Sequence, residues 1–269
     1  DWSSDVCSSD LRHVGFDEAA ARKLPGVVAV VRDGNFIAVA AEREEQAVAA
    51  REALRQSARW QESETLPPPG DALFAHMMKL PSRDQMVNEK KAAAPLKAAK
   101  SLEATYTRPY QAHGSIGPSC ALAQWQEGKL TVWTHSQGVF PLRGDLSRAF
   151  RMDAANIRCI HAEGSGCYGH NSADDVAFDA AMLARSCSGR PVRVQLMRDD
   201  EFAWEPFGSA MAMKLSGKLD DQGNVIDWQH ELWSHPHNAR PGSPDGVNLL
   251  GAWLLATPAK APYPNDPPQ

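Results

Sequence analysis

Gly164-Ser165-Gly166-Cys167-Tyr168-Gly169-His170-Asn171 lies between an extended stretch ending at Glu163 and a helical stretch opening at Ser172, and the reading of this chain turns on it. Three glycines let the backbone bend sharply and leave amide N–H groups open to an anion, assisted by the positive end of the following helix. The loop therefore suits a phosphate- or oxo-bearing ligand. Its spacing, G-x-G-x-x-G after a strand and before a helix, also fits a dinucleotide fingerprint built on Gly164, Gly166 and Gly169. Three features count against a nicotinamide cofactor. The acidic residue expected about 20 positions on is missing, since Asp199 and Asp200 come later. The preceding strand is mixed in polarity, and Asp174 and Asp175 occupy the first helical turn, where they compete with a pyrophosphate. A Walker loop is excluded because no Lys-Ser/Thr pair follows the last glycine. A glycine-rich turn without a ligand remains the plainest alternative.

Outward from the loop, Ser172 to Cys187 reads as a helix. Val176, Ala180, Leu183 and Cys187 share one face, and Ser172 with Asp175 forms a capping-box pattern. Ile157 to Glu163 is a strand with no evident buried face. Cys120–Trp125 and Leu130–His135 flank Glu127-Gly128-Lys129 as a hairpin, and Pro141 to Phe150 reads as a helix. Val192–Met197 is a strand; Met211–Leu219 and Val225–Trp233 form another hairpin around residues 220–224. Trp125, Trp133, Trp228 and Trp233 sit on these strands and are expected to pack in the core. After Pro236 the chain turns to Gly, Pro and Asn and ends at Pro267-Pro268-Gln269 with no expected closing element, as a truncated domain would.

Upstream, an apolar run Val27–Val31, a turn at Asp33-Gly34-Asn35, a run Phe36–Ala41 and a helix with Ala47, Ala50, Leu54 and Ala58 make a compact α/β unit. Pro67-Pro68-Pro69-Gly70 marks a connector, and Lys79–Lys100 reads as a surface segment. Asp1 to Leu11 lacks periodicity and resembles translated adapter sequence; it is set aside, which places the true N-terminus elsewhere and leaves localisation unread.

The whole chain has 269 residues, is 43% hydrophobic and carries a formal net charge of −5. That balance, with no basic run, gives no footprint for nucleic acid. No stretch approaches the roughly 18 apolar residues of a membrane span. Its five cysteines form no C-x-x-C pair, so neither zinc nor iron–sulfur ligation nor a disulfide framework is expected. His113, His161 and His170 have no carboxylate at metal-ligand spacing and read as structural or surface histidines.

The residues around the loop resemble the molybdenum hydroxylases of the xanthine dehydrogenase and aldehyde oxidase family. His113-Gly114-Ser115-Ile116-Gly117-Pro118 resembles that family's H-x-P-M-E-P segment, and Thr131 to Arg143 its W-T-x-x-Q-x-P-x-x-x-R segment. Gly164 to Asn171 resembles the G-G-G-F-G-G-K loop; Gly189-Arg190-Pro191-Val192-Arg193-Val194 with Arg198-Asp199-Asp200-Glu201 resembles G-R-P-V-R…R-x-E. Leu24-Pro25-Gly26-Val27-Val28-Ala29-Val30 and the following strand and helix resemble its α/β hammerhead domain. The loop with Asp174-Asp175 resembles large subunits of the nicotinate dehydrogenase and isoquinoline 1-oxidoreductase type.

The resemblance implies an α+β fold: a hammerhead-like domain at 12–60, a linker at 61–100, and the first part of a mixed α/β molybdopterin-binding domain at 101–269. It implies a molybdenum–molybdopterin cofactor in its cytosine dinucleotide form, contacted by Gln137, Gly166, Cys167, Tyr168 and Gly169. It also implies an iron–sulfur electron-transfer partner, and an N-heteroaromatic or aldehyde substrate hydroxylated with oxygen from water. Two departures stand out: Cys167 or Tyr168 replaces the loop phenylalanine, and Gly117 replaces the glutamate of M-E-P. The family's catalytic glutamate, a general base, and its pterin-holding arginine segment fall in a C-terminal half absent here, so the chain alone is expected to be inactive. A non-catalytic scaffold with the same fold is the alternative from another class.

Overall fold

A computed structural model describes residues 12–61, 67–91, 97–187, 189–235, 240–244 and 246–260. The adapter-like residues 1–11, Cys7 among them, and the last nine residues lie outside these. In chain order the elements are β1 (Arg12–Gly15), α1 (Glu18–Arg22), β2 (Val27–Asp33), β3 (Phe36–Ala41), α2 (Glu44–Ser57), β4 (Arg59–Gln61), α3 (Ala72–Met77) and β5 (Lys100–Arg108). There follow β6 (Cys120–Gln126), β7 (Lys129–Thr134), α4 (Val139–Phe150), β8 (Ile157–His161), α5 (Ala173–Ser186), β9 (Val192–Gln195), α6 (Arg198–Trp204), β10 (Met211–Leu219), β11 (Val225–Ser234) and α7 (Leu250–Trp253). The mixed α+β class read from the sequence is the class observed.

Contacts divide the chain into two compact units. The first draws on residues up to 65, 113–206 and 239–263; the second on 66–112, 207–238 and 264–269.

The first unit is built on a four-stranded sheet in the order β8-β7-β6-β9. β6 and β7 form the expected hairpin, with left-handed backbone at Glu127 and Gly128 as a two-residue turn requires. β8 runs parallel to β7 at the sheet's edge, and β9 antiparallel to β6. A mixed sheet with the loop-bearing strand at its edge is not the parallel sheet of a dinucleotide fold. The register also resolves which face of β8 is buried. Ile157 and Cys159 lie beside Leu130 and Val132, and both pack on the core shared with α5.

α5 is more deeply enclosed than a one-faced helix. Ala173, Val176, Ala177, Phe178, Ala180, Ala181, Met182, Leu183 and Ala184 are all buried. Small alanine side chains let strands approach from one side while Leu183 and Cys187 meet Ala29 and Ala40 of the β2–β3 hairpin on another. That hairpin turns at Gly34-Asn35, within the predicted turn, with Asp33 opposite Phe36. The expectation that no element follows Pro236 needs correction. α7 forms, Val247, Leu249 and Ala252 enter the core, and the Leu254 carbonyl accepts from the Asn35 amide at 2.7 Å. The sequence hid this because the segment is held by polar anchors. Asp145 accepts from the amides of Gly242 and Asn248, and Asp175 from that of Leu250.

The second unit is a three-stranded antiparallel sheet in the order β11-β10-β5. Leu73, Phe74 and Met77 of α3 pack against Ala210 and Ala212, with Trp233 partly buried beside them. Trp228 departs from the expected core role. It lies 61% exposed on the sheet's other face, on which Leu102, Tyr106 and Leu232 are also exposed.

Candidate functional site

β7 and β8 are parallel, so both C-terminal ends open on the same side of the sheet, where ligands of α/β sheets bind. From β8 the chain enters the glycine turn and then α5; from β7 it passes through His135 and Ser136 to Gln137. Gly164 leaves room for the His135 side chain, which brings the start of the turn against the end of β7.

The turn is left-handed at three positions: Gly166 at φ +92°, Tyr168 at +52° and Gly169 at +140°. A Cβ on Gly166 would stand 2.8 Å from Tyr168 Cζ, and one on Gly169 would overlap the His113 ring. Glycine is thus demanded at both sites by backbone angle, and at Gly169 by the His113 ring as well. The amides of Cys167, Tyr168 and Gly169 donate to no acceptor among the described residues. The Cys167 thiol donates to the Gly169 carbonyl, so it braces the turn from within.

The segment His113–Pro118 lies against this turn. Ile116 donates to the Ser165 carbonyl at 3.0 Å, Gly117 leaves space for the Ser165 hydroxyl, and Arg198 donates to the carbonyls of Ser115 and Ile116. Glu201, fully buried, accepts from the Ser119 amide at 2.6 Å and its hydroxyl at 3.0 Å, and from the Ser172 amide at 3.5 Å. In this unit the most exposed large apolar side chains are Ile116, Phe140 and Tyr168, one from each segment meeting here. Gln137 itself is exposed, three residues before Phe140.

The capping box at Ser172 and Asp175 does not form. Ser172 Oγ is buried without a partner, and Asp175 is engaged by Leu250. Asn171 takes the part instead, its Oδ1 accepting from the Ala173 amide at 3.2 Å. A pattern of S-x-x-D cannot distinguish the serine from the asparagine before it. Thr134, Asn171, Arg198 and Glu201 are the functional-site residues that sequence reasoning missed as individuals. All four lay within segments quoted for their resemblance, Thr134 beside Trp133 in the stretch that leads to Gln137 and Asn171 at the end of the glycine loop, but none was singled out.

Burial governs the electrostatics. It pushes His170 down to about 4, with Arg240 and His113 adding to the effect, and it pushes Asp174 up. Their 3.4 Å contact is therefore no ion pair at neutral pH, because His170 is uncharged there. His135 is lowered mainly by burial, and its Nε2 accepts from the Cys120 amide at 3.3 Å. The Cys159 thiol is pushed up to about 12 by burial, so it is inert. Among the described residues no group of three or more His, Cys, Asp or Glu side chains could hold a metal, and the four cysteines there are free. Unpaired amides at a left-handed turn beside a helix N-terminus fit an anionic, oxygen-rich group.

Comparison with known proteins agrees. A family profile described as molybdopterin cofactor-binding domain matches residues 78–243. The chain is 40% identical over 241 residues to a nicotinate dehydrogenase subunit of Pseudomonas putida, covering 89% of this chain and 20% of that protein. It is 33% identical over 149 residues to the aldehyde oxidoreductase molybdenum-binding subunit of Escherichia coli K12, covering 55% of this chain and 20% of that one. The chain thus spans about a fifth of the length of the relatives it matches. Among solved structures, quinoline 2-oxidoreductase from Pseudomonas putida 86 shares the fold at TM-score 0.64 and 14% identity, over 83% of this chain and 34% of that one. Aldehyde oxidoreductase from Desulfovibrio gigas does so at TM-score 0.61 and 15% identity, over 83% and 29%.

Proposed function

Because the chain belongs to the molybdopterin cofactor-binding domain family, we propose that it forms part of the cofactor-holding half of a molybdenum hydroxylase, with Gln137, Gly166, Cys167, Tyr168 and Gly169 lining the cofactor. Residues 12–60 correspond to the hammerhead-like domain and 101–269 to the first part of the cofactor domain, joined through 61–100. One observation carries the reading: a left-handed turn with three unpaired amides stands at the C-terminal ends of two parallel strands, with the exposed Gln137 following the neighbouring strand.

The amides of residues 167–169 bind and orient anionic oxygens, and the N-terminal end of α5 supplies a favourable field because burial pushes the carboxyls of Asp174 and Asp175 toward their uncharged forms. The Gln137 side chain, with one donor and one acceptor group, approaches the same group from the β7 side. Tyr168 and Phe140 give the rim an aromatic character that suits a planar substrate. The molybdenum cofactor, when bound, accepts the two electrons released as a substrate C–H carbon takes a hydroxyl from water, with two protons set free. We assign it an N-heteroaromatic or aldehyde substrate, in keeping with the names of the two relatives, and, on the sequence resemblance alone, the cytosine dinucleotide form and an iron–sulfur partner as electron acceptor. The chain alone is expected to be inactive.

The test is to express the complete gene product with molybdate and measure molybdenum and pterin nucleotide per chain. Near-stoichiometric metal is expected, with Gln137→Ala leaving the folding stability within about 0.5 kcal/mol of the parent while lowering turnover. A well-folded, metal-free product would point instead to a scaffold of the same fold.

A further inference from the structure

Gln137 and the glycine turn lie on different elements, yet the reading above needs them to approach one ligand, so their spacing must be fixed. A chain of buried hydrogen bonds does this. The Gly138 amide donates to Ser136 Oγ at 3.1 Å, and the Ser136 amide to Thr134 Oγ1 at 3.2 Å. The Thr134 hydroxyl donates to the Ala173 carbonyl at 3.0 Å. From the same residue of α5, the Ala173 amide donates to Asn171 Oδ1 at 3.2 Å, and Asn171 Nδ2 donates to the Gly166 carbonyl at 3.3 Å. Thr134, Ser136 and Asn171 are at most 3% exposed, so water has little access to the middle of this chain, while its ends at Gly138 and Gly166 are half-buried.

Each group is used in both senses. The single proton of Thr134 goes to Ala173, which leaves its lone pairs for the Ser136 amide. Asn171 has one orientation, because flipping its amide would set Nδ2 against the Ala173 N–H and Oδ1 against the Gly166 carbonyl.

We infer that Thr134 and Asn171 are positioning residues: through Ala173 they tie the backbone that presents Gln137 to the backbone of the turn at Gly166. The inference rests on the functional reading above, and it adds two residues that touch no cofactor themselves. Their removal loosens the spacing of the two sides without unfolding either. Two features make this separable from a general structural role. Valine at 134 keeps the shape and removes the hydroxyl. Aspartate at 171 keeps the acceptor toward Ala173, at a helix N-terminus that favours a negative charge, and removes the donor that serves the Gly166 carbonyl and, at 3.5 Å, Ser115 Oγ.

The experiment pairs amide hydrogen exchange on this chain with molybdenum retention in the complete gene product. In Thr134→Val, exchange at Ser136 and Gly138 should rise about tenfold, as loss of one buried hydrogen bond implies, with the β6–β7 hairpin unchanged and Thr134→Ser restoring protection. In Asn171→Asp, which sets a carboxylate oxygen against the Gly166 carbonyl, the melting temperature should fall modestly with the chain still folded, while the Ile116 amide, bonded to Ser165 of the turn, exchanges faster. Both variants should lose molybdenum on dialysis about tenfold faster or more, since small misplacements of positioning groups are costly. Parent-like exchange and retention in folded Thr134→Val and Asn171→Asp overturn the inference and leave the functional reading intact. If the parent holds no molybdenum, the functional reading fails, and the exchange data alone decide whether the tie exists. Should Thr134→Val not fold, Asn171→Asp against parent and Thr134→Ser decides it.

Discussion

Tyr168 sits at φ +52°, where a Cβ costs a non-glycine residue about 1 kcal/mol, with its ring over Gly166 and 63% exposed. Strain of this kind persists where surrounding structure imposes it, and here it places an aromatic ring at the mouth of the turn. Tyr168→Gly should therefore leave the melting temperature unchanged or raise it slightly, while weakening retention of the cofactor. A large loss of stability in a thermal melt would show the ring to be packing rather than presentation. Gly169→Ala should behave in the opposite way. Its φ of +140° and the His113 ring both oppose a methyl group, so a loss of about 2 kcal/mol is expected in chemical denaturation. The glycines were legible in the sequence as a turn, but their neighbours were not, because His113 and Gly169 meet only after folding. Asn171 escaped notice for a similar reason: an asparagine beside a serine gives no local sign of which one caps the helix.

At the level of elements, α5 combines what the sequence shows with what it hides. Val176, Ala180 and Leu183 were readable as a buried stripe, but its alanines carry little apolar contrast, and their burial on the remaining faces follows only from elements distant in the chain. Ala180→Leu should overpack this helix by about 1–3 kcal/mol. The same helix carries carboxyls that burial pushes up, Asp175 to about 7 and Asp179 to about 8, with Asp175 adding to the rise at Asp179. A carboxyl whose pKa rises on folding supports the fold only while protonated. That support is whole below about pH 4 and is lost as pH climbs through about 7 and 8. Melting temperature should accordingly fall between about pH 5 and about pH 9. Asp179→Asn should remove part of that fall, gaining about 1–3 kcal/mol at about pH 9 and little at about pH 4. An unchanged pH profile would show that Asp179 ionises freely.

Across the molecule, hairpins were readable because their turns are local, whereas β5 went unrecognised. Its sequence, Lys100–Arg108, is polar in alternation, and its partner among the described residues is β10, about a hundred residues further on. The outer face of this sheet leaves Leu102, Tyr106, Trp228 and Leu232 open. A Trp228→Lys, Leu232→Lys double variant should keep its stability within about 1 kcal/mol and bind less of a hydrophobic dye. Synthesis on the ribosome puts this long-range pairing in a different light. At about 5–20 residues per second, β5 emerges roughly 5–20 s before the strand it needs. Throughout that interval the segment that becomes β5 waits without the strand that pairs with it.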